Sequence, residues 1–298
     1  MKLQSGLIKI ETHKVPYLKN RIRLSDYAPG IFKTFFSKKG IKNAIKKGLV
    51  TINGDIGYTS DYIKGDETIE LFQSNIPTNK PTIKIPLEVL YEDDYLAIIN
   101  KPSGVLVSGN KKYTLENALP NVLSKSNQKD ALLRPDPIHR LDYPTSGALL
   151  IGKTSQVVIL LNKMFEERKI NKMYYAITIG EIKDNGIIEA PIENRTSKSE
   201  YKTISRLASR KYESLNLIEL IPHTGRKHQL RIHLASIGSP IFGDLKYGNE
   251  GLTGKGNGLY LHASSLVFSH PITNSDVSVT IPLPKKFKKL FSLKTEEF

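Results

Sequence analysis

The sequence predicts an α/β (α+β) chain in two units, and three observations carry the prediction. Short apolar runs bounded by Gly, Pro and Asn recur from residue 49 to residue 281 in the manner of strands. Helical patterns interrupt them, a basic one near the amino terminus and an apolar one after Thr154. The segment Asn75-Ile76-Pro77-Thr78-Asn79-Lys80-Pro81 breaks both periodicities and reads as a connection. We therefore expect an amino-terminal unit at 1–75, a linker at 76–85 and a larger unit at 86–298.

Within the first unit, Ile41, Ala44 and Ile45 recur at helical spacing while Lys38, Lys39, Lys42, Lys46 and Lys47 fill the positions around them. That is a basic amphipathic helix, stopped by Gly48. Leu49-Val50-Thr51-Ile52 then reads as a strand, and Asn53-Gly54 as a two-residue hairpin turn. Gly65-Asp66 makes another turn before the strand Thr68–Leu71.

The larger unit opens with strands at Leu87–Tyr91 and Tyr95–Asn100, the second ended by Lys101-Pro102-Ser103-Gly104. Lys101 is assigned a structural role. His139-Arg140-Leu141-Asp142-Tyr143-Pro144-Thr145-Ser146-Gly147 follows and reads as a loop entering the buried strand Ala148–Ile151. A carboxylate at the mouth of such a strand sits where its environment can be controlled, as a nucleophile or base requires. An Asp before a turn also commonly caps backbone. Thr154-Ser155 caps a helix through Val157, Leu161 and Phe165, and Lys172–Ile179 is a strand with Tyr174 and Ala176 on one face and Tyr175 on the other. After the strand Leu217–Ile221, Thr224 caps a helix expected to run to Ile237, ended by Gly238. Leu259–Ser264 and Val277–Ile281 are the last strands, and Lys285, Lys286, Lys288 and Lys289 leave a basic tail.

Composition narrows the chemistry. The 298 residues are 39% apolar, enough to bury sizeable cores, and the net charge is +15. Half of that excess lies in the first 80 residues, where 14 Lys or Arg face 7 Asp or Glu. Such a balance points to a polyanionic partner, nucleic acid above all. With no cysteine, disulfides, thiolate catalysis and sulfur-ligated zinc are excluded. His223, His228 and His233 are five apart, which turns each about 140° from the last on a helix, so they do not converge on one metal ion. No apolar run approaches a membrane span and Met1–Gly6 lacks the hydrophobic stretch of a signal peptide, so a soluble, cytoplasmic chain is expected.

Two stretches carry a family resemblance. HRLDYPTSGALLIGKT resembles the His-Arg-Leu-Asp-x-x-Thr-Ser-Gly signature of the RluA-type pseudouridine synthases, and TGRKHQLRIHLASIGSPIFGDLKYG resembles a second, independent pattern of that family. VLYEDDYLAIINKPSGVLV, the Lys-x-Tyr-x-Ala motif at Lys172–Ala176 and the Leu-His-Ala strand at Leu261 also resemble it. The resemblance implies a mixed, largely antiparallel sheet with a central cleft, and isomerisation of uridine to pseudouridine in structured RNA without a cofactor. It implies Asp142 as the catalytic carboxylate, Arg226 as its partner, Tyr174 as the phenol beside the base and Leu261 as a pocket wall. Arg140 would fill the gap left in the RNA by an extruded uridine, or contact a phosphate.

The order basic helix, LVTINGDIGYTS, KGDETIEL resembles a small S4-like RNA-binding domain, whose basic helix lies against RNA. Lys38, Lys39, Lys42 and Lys46 are its candidate contacts. Large-subunit ribosomal RNA is the favoured target; a transfer RNA substrate, or a ribosome-assembly factor that binds RNA without catalysis, is the alternative. A monomer is the expected state.

Overall fold

The computed structural model describes residues 7–32, 38–74, 80–249, 251–252, 256 and 258–291. The amino-terminal unit holds β1 (Leu7–Lys14), β2 (Ile22–Arg23), α1 (Leu24–Tyr27), α2 (Lys38–Lys46), β3 (Val50–Ile52), β4 (Asp55–Ile56), β5 (Tyr62–Ile63) and β6 (Thr68–Ser74). Its main sheet has the order β1-β6-β3-β4, and β2 pairs with β5. The basic helix forms where its period predicts, with Ile41, Ala44 and Ile45 buried against Val50, Ile69 and Leu71. Asn53 and Gly54 both take positive φ (51° and 88°), the geometry of the tight turn joining β3 to β4. The core of this unit draws on residues from Val15 to Leu71.

The larger unit contains β7 (Glu88–Glu92), β8 (Leu96–Lys101), α3 (Leu115–Val122), β9 (Ala131–Pro137), β10 (Ser146–Thr154), α4 (Ser155–Glu166), β11 (Asn171–Ile179), β12 (Asn185–Glu189), β13 (Lys198–Ser209), β14 (Glu213–Pro222), α5 (Gln229–Ser236), β15 (Leu261–Ser269), β16 (Asp276–Thr280) and α6 (Lys285–Phe291). Its ten strands form one sheet in the order β12-β13-β14-β11-β15-β10-β8-β7, with β16 on β15 and β9 on β10. All pairs are antiparallel except β10 with β15. The mixed, largely antiparallel sheet is therefore present.

That single parallel contact, Ser146 beside His262 and Gly147 beside Ala263, is where two halves of the sheet meet. Gly147 has φ +120°, and a Cβ there would lie 2.1 Å from the Ala263 carbonyl oxygen. Only glycine lets the backbones approach so closely. One core packs around Ile177, Leu217, Leu234 and Phe242, another around Ile99, Leu119, Leu149 and Ile151, and Tyr174 touches both.

Several elements differ from expectation. The helix predicted from Thr224 starts only at Gln229, because His228 takes a left-handed conformation (φ 57°) and ends the preceding loop. The Gln229 side chain clamps that loop, accepting from the Arg226 amide at 3.0 Å and from Thr224 Oγ1 at 2.6 Å, and donating to the Lys198 carbonyl at 2.9 Å. The supposed basic tail is the helix α6, whose Phe287 is fully buried against Tyr260. Of the expected linker, residues 76–79 lie outside the described residues. Residues 80–85 are anchored to the larger unit: Arg134 donates to the Lys80 and Pro81 carbonyls at 3.3 and 3.1 Å, and Ile85 is buried.

Candidate active site

The Asp142 loop joins β9 to β10. His139 and Leu141 turn inward while Arg140 is exposed and Asp142 half-exposed, so alternation along the chain brings the two charged groups toward solvent. His139 Nε2 accepts from the Leu150 amide at 3.1 Å, its ring lies against Phe165, and burial pushes it down to about 3. It is a neutral group that ties the loop to β10. The Thr145 amide closes a four-residue turn on the Asp142 carbonyl at 3.0 Å.

Lys101 fixes the loop from beneath. It is fully buried at the end of β8, and its ammonium donates to the carbonyls of Pro102 (3.0 Å), Tyr143 (3.2 Å) and Thr145 (2.7 Å). Burial pushes it down to about 8, opposed by the Asp142 carboxylate. The structural role assigned to Lys101 is thus visible as three bonds to the backbone around the aspartate.

The cation that holds Asp142 is Arg231. Its Nη1 donates to Asp142 Oδ2 at 3.1 Å, while Nε and Nη2 donate to the two oxygens of Asp244 at 2.7 and 2.8 Å. Asp244 is buried, which pushes its carboxyl up. The bonds from Arg231 and from the Lys246 and Tyr247 amides outweigh this and hold it below the usual carboxylate range. Arg231 is likewise disfavoured as a cation by burial and kept charged by Asp244 and Asp142.

The expected partner, Arg226, is elsewhere. Its Nε donates to the Thr196 carbonyl at 3.2 Å, and it lies on the loop before α5, at the cavity edge. The late start of the helix is the reason: Arg226 lies in the loop that Gln229 holds, whereas Arg231 lies within α5 and reaches Asp142. Both arginines stand in the same matched stretch, and the one usable signal was Asp244, thirteen residues after Arg231, in the Gly-Asp of the same pattern.

His228 sits across the carboxylate, Nε2 3.7 Å from Asp142 Oδ1, with Nδ1 bonded to the Tyr247 hydroxyl at 2.9 Å. Burial pushes it below the ordinary histidine range despite Asp142. His223 instead meets Glu200 at 3.2 Å, and buried His233 meets Ser199 and Ser197, each at 2.9 Å. Among the described residues no group of His, Asp or Glu is placed to hold a metal ion.

Tyr174 faces the same space from β11. Its phenol is pushed above the ordinary tyrosine value by burial and by Asp142, so it is neutral at physiological pH. Opposite it, β15 bulges at Ser264, whose Oγ donates to the Met173 carbonyl at 3.2 Å. Leu261, buried, closes the floor.

These groups enclose a cavity of about 680 Å³ that includes Arg140, Asp142, Tyr174, Arg226, Arg231 and Leu261. It is the size of a ligand pocket, and its charged lining is mostly cationic. In the amino-terminal unit, Lys38, Lys42 and Lys46 lie outside the helix's apolar stripe, and Lys38 pairs with Asp26 at 2.7 Å. The side chain of Lys39 lies outside the described residues.

Residues 95–236 match the family model described as RNA pseudouridylate synthase. A ribosomal large subunit pseudouridine synthase D of Xanthomonas campestris pv. campestris is 31% identical over 288 residues, covering 88% of this chain and 86% of that protein. The chain belongs to the RluA-type pseudouridine synthase family. A ribosomal large subunit pseudouridine synthase C of Rickettsia bellii is 34% identical over 84% of this chain and 91% of its own length. A tRNA pseudouridine synthase C of Haemophilus ducreyi is 36% identical, covering 69% of this chain and 95% of its own. The solved human RNA Pseudouridylate Synthase Domain Containing 1 superposes with a TM-score of 0.55 at 25% identity, over 66% of this chain and 83% of its own.

For a pseudouridine synthase the geometry is economical. The family signature supplies the carboxylate, the buried Leu141 and the obligatory Gly147, and the second pattern supplies Arg231 and Asp244. No helix among the described residues is long and apolar enough to cross a membrane.

Proposed function

We propose that this enzyme converts uridine to pseudouridine in large-subunit ribosomal RNA, with Asp142 as the reacting carboxylate. The observation that carries this reading is the Arg231–Asp142 bond inside a cationic cavity that also holds Tyr174 and Leu261. Arg231 occupies one oxygen of Asp142 and leaves the other facing the cavity. A carboxylate so held is oriented, a requirement for engaging the ribose C1′ as the N1–C1′ bond breaks. The freed uracil turns, C5 bonds to C1′, the C5 proton leaves and N1 takes one up, so the product is an isomer. The neutral Tyr174 phenol lies where it can stack on the base and relay that proton. A duplex hides these atoms, so the uridine must be extruded, and Arg140, exposed at the rim, is placed to occupy the space it leaves.

The choice of ribosomal RNA rests on length. The large-subunit synthases cover 84% and 88% of this chain, whereas the tRNA synthase covers 69% of it while using 95% of itself. The difference, about 45–57 residues, is well over half the length of the amino-terminal unit. That unit we read as an S4-like RNA-binding domain whose helix α2 adds affinity through Lys42 and Lys46. Two tethered surfaces raise effective concentration without a new catalytic contact. We read the enzyme as a monomer that acts in the cytoplasm, where ribosomal RNA is found.

The test maps pseudouridines across cellular RNA in a deletion strain complemented by wild type or by Asp142→Ala. Loss of specific ribosomal sites, restored by wild type alone, is the expected result. Loss in transfer RNA redirects the substrate. Restoration by Asp142→Ala makes the protein a binding factor.

A further inference from the structure

One part of the cavity is not used by this reaction. Arg168 and Lys172 line it together with Phe165. Lys172 stands two residues before Tyr174 on the same face of β11, half-buried, with its ammonium 5.7 Å from the centre of the Phe165 ring. His139, which packs against that ring, is neutral and adds no positive charge beside Lys172. Burial and the neighbouring Arg168 both push Lys172 below the ordinary lysine range. Among the described residues neither cation pairs with a carboxylate, although Glu166 shares the lining. Lys172 is half-buried and Arg168 exposed beside it, and an anionic ligand between them would relieve their mutual repulsion.

The backbone at Arg168 is a second, independent sign. Helix α4 ends with the Arg168 amide on the Phe165 carbonyl (3.2 Å) and the Lys169 amide on the Met164 carbonyl (2.8 Å). Arg168 takes φ +58°, the position where helix ends favour glycine or asparagine. A long β-substituted side chain there costs stability, and strain of this kind concentrates at ligand sites. The side chain it carries is the one that reaches the cavity.

We propose that Arg168 and Lys172 form a phosphate seat in the active-site cavity, taking a backbone phosphate that flanks the extruded uridine. This rests on the reading of the cavity as the uridine site. RNA brings a phosphate on each side of every nucleotide, and the seat would fix the sugar relative to Asp142. Guanidinium and ammonium together suit a phosphate, the first by its fork of donors and the second as a point charge.

The experiment measures binding of large-subunit ribosomal RNA transcribed in vitro, as a function of salt, together with tritium release from its C5-labelled uridines. Wild type is compared with Arg168→Gly, Lys172→Gln and the double variant. Each single change should weaken binding about tenfold at low salt and lower the slope of log affinity against log salt by about one. The double variant should lower it by about two. Arg168→Gly should at the same time raise Tm, because the left-handed position is relieved, so weaker binding cannot be ascribed to a damaged fold. Unchanged slopes in both single variants overturn the seat. If wild type releases no tritium from any RNA while still binding it, the reaction assigned to the cavity falls, and that result is separate from the slopes.

Discussion

Arg231 bridges two carboxylates of unlike exposure: Asp244, buried, holds two of its nitrogens, and Asp142, half-exposed, takes the third. The buried partner sets the guanidinium plane, so the remaining nitrogen points at Asp142 before any substrate arrives. Positioning of this kind is worth most when it is fixed in advance. Arg231→Lys keeps the charge and loses the fork, and we expect kcat to fall by about 10²-fold or more. Arg231→Ala leaves Asp244 unpaired and should cost about 3–5 kcal/mol of stability in a denaturant titration. Arg226→Lys, by contrast, should raise KM by less than about tenfold with kcat unchanged. Equal losses of kcat in the two Lys variants would contradict the bridging role.

The contrast between these arginines shows what the sequence held. Strands and helices with strong period were legible: the basic helix, the Asn53-Gly54 turn, the Thr154 cap and β11 all lie where patterning puts them, with the Thr154 hydroxyl accepting from the Val157 amide. Asp142, Tyr174 and Leu261 share one cavity as the motifs imply. What escaped depends on a conformation that no period encodes. His228 in the left-handed region moves the cap of α5 by four residues from the expected Thr224, and that shift decides which arginine bonds Asp142. The helix α3, which contains Pro120, and the proline-bearing strand β9 have weak local signals.

Gly147 should be the least tolerant position in the signature apart from the aspartate itself. A methyl group at Gly147 meets backbone atoms of Ala263 at 2.1 and 2.7 Å, which have nowhere to go, and φ +120° is strained for alanine. Gly147→Ala should cost about 3 kcal/mol or more, read as a fall in the denaturant midpoint. A variant of native stability would mean that β10 and β15 part easily at this point.

Tyr174→Phe separates stacking from proton transfer. The ring and its packing between the two cores are retained, so folding and RNA affinity should be close to wild type. Loss of the hydroxyl should lower kcat by about 10²–10⁴-fold if it relays the C5 proton, the scale of positioned acid–base groups. Because burial and Asp142 keep the phenol neutral, the wild-type rate should show no limb from Tyr174 in the neutral range. A Tyr174→Phe enzyme with full kcat would leave only stacking.

Lys101 gives the site an alkaline limit. With its ionisation pushed down to about 8, it is an ammonium donating three bonds below that pH and an amine above it, unable to satisfy three carbonyls. Activity should therefore fall as pH rises through about 8. The sign for stability is opposite. Between pH 8 and the ordinary lysine value of 10.5 the unfolded chain binds more protons than the folded one, so this group's contribution to stability rises with pH. Loss of rate without loss of Tm between pH 8 and 9 is the expected pairing, and Lys101→Met should lower the rate at pH 7 and remove that limb. A wild-type rate that stays flat to pH 9.5 would show that the loop around Asp142 holds its shape without the third bond.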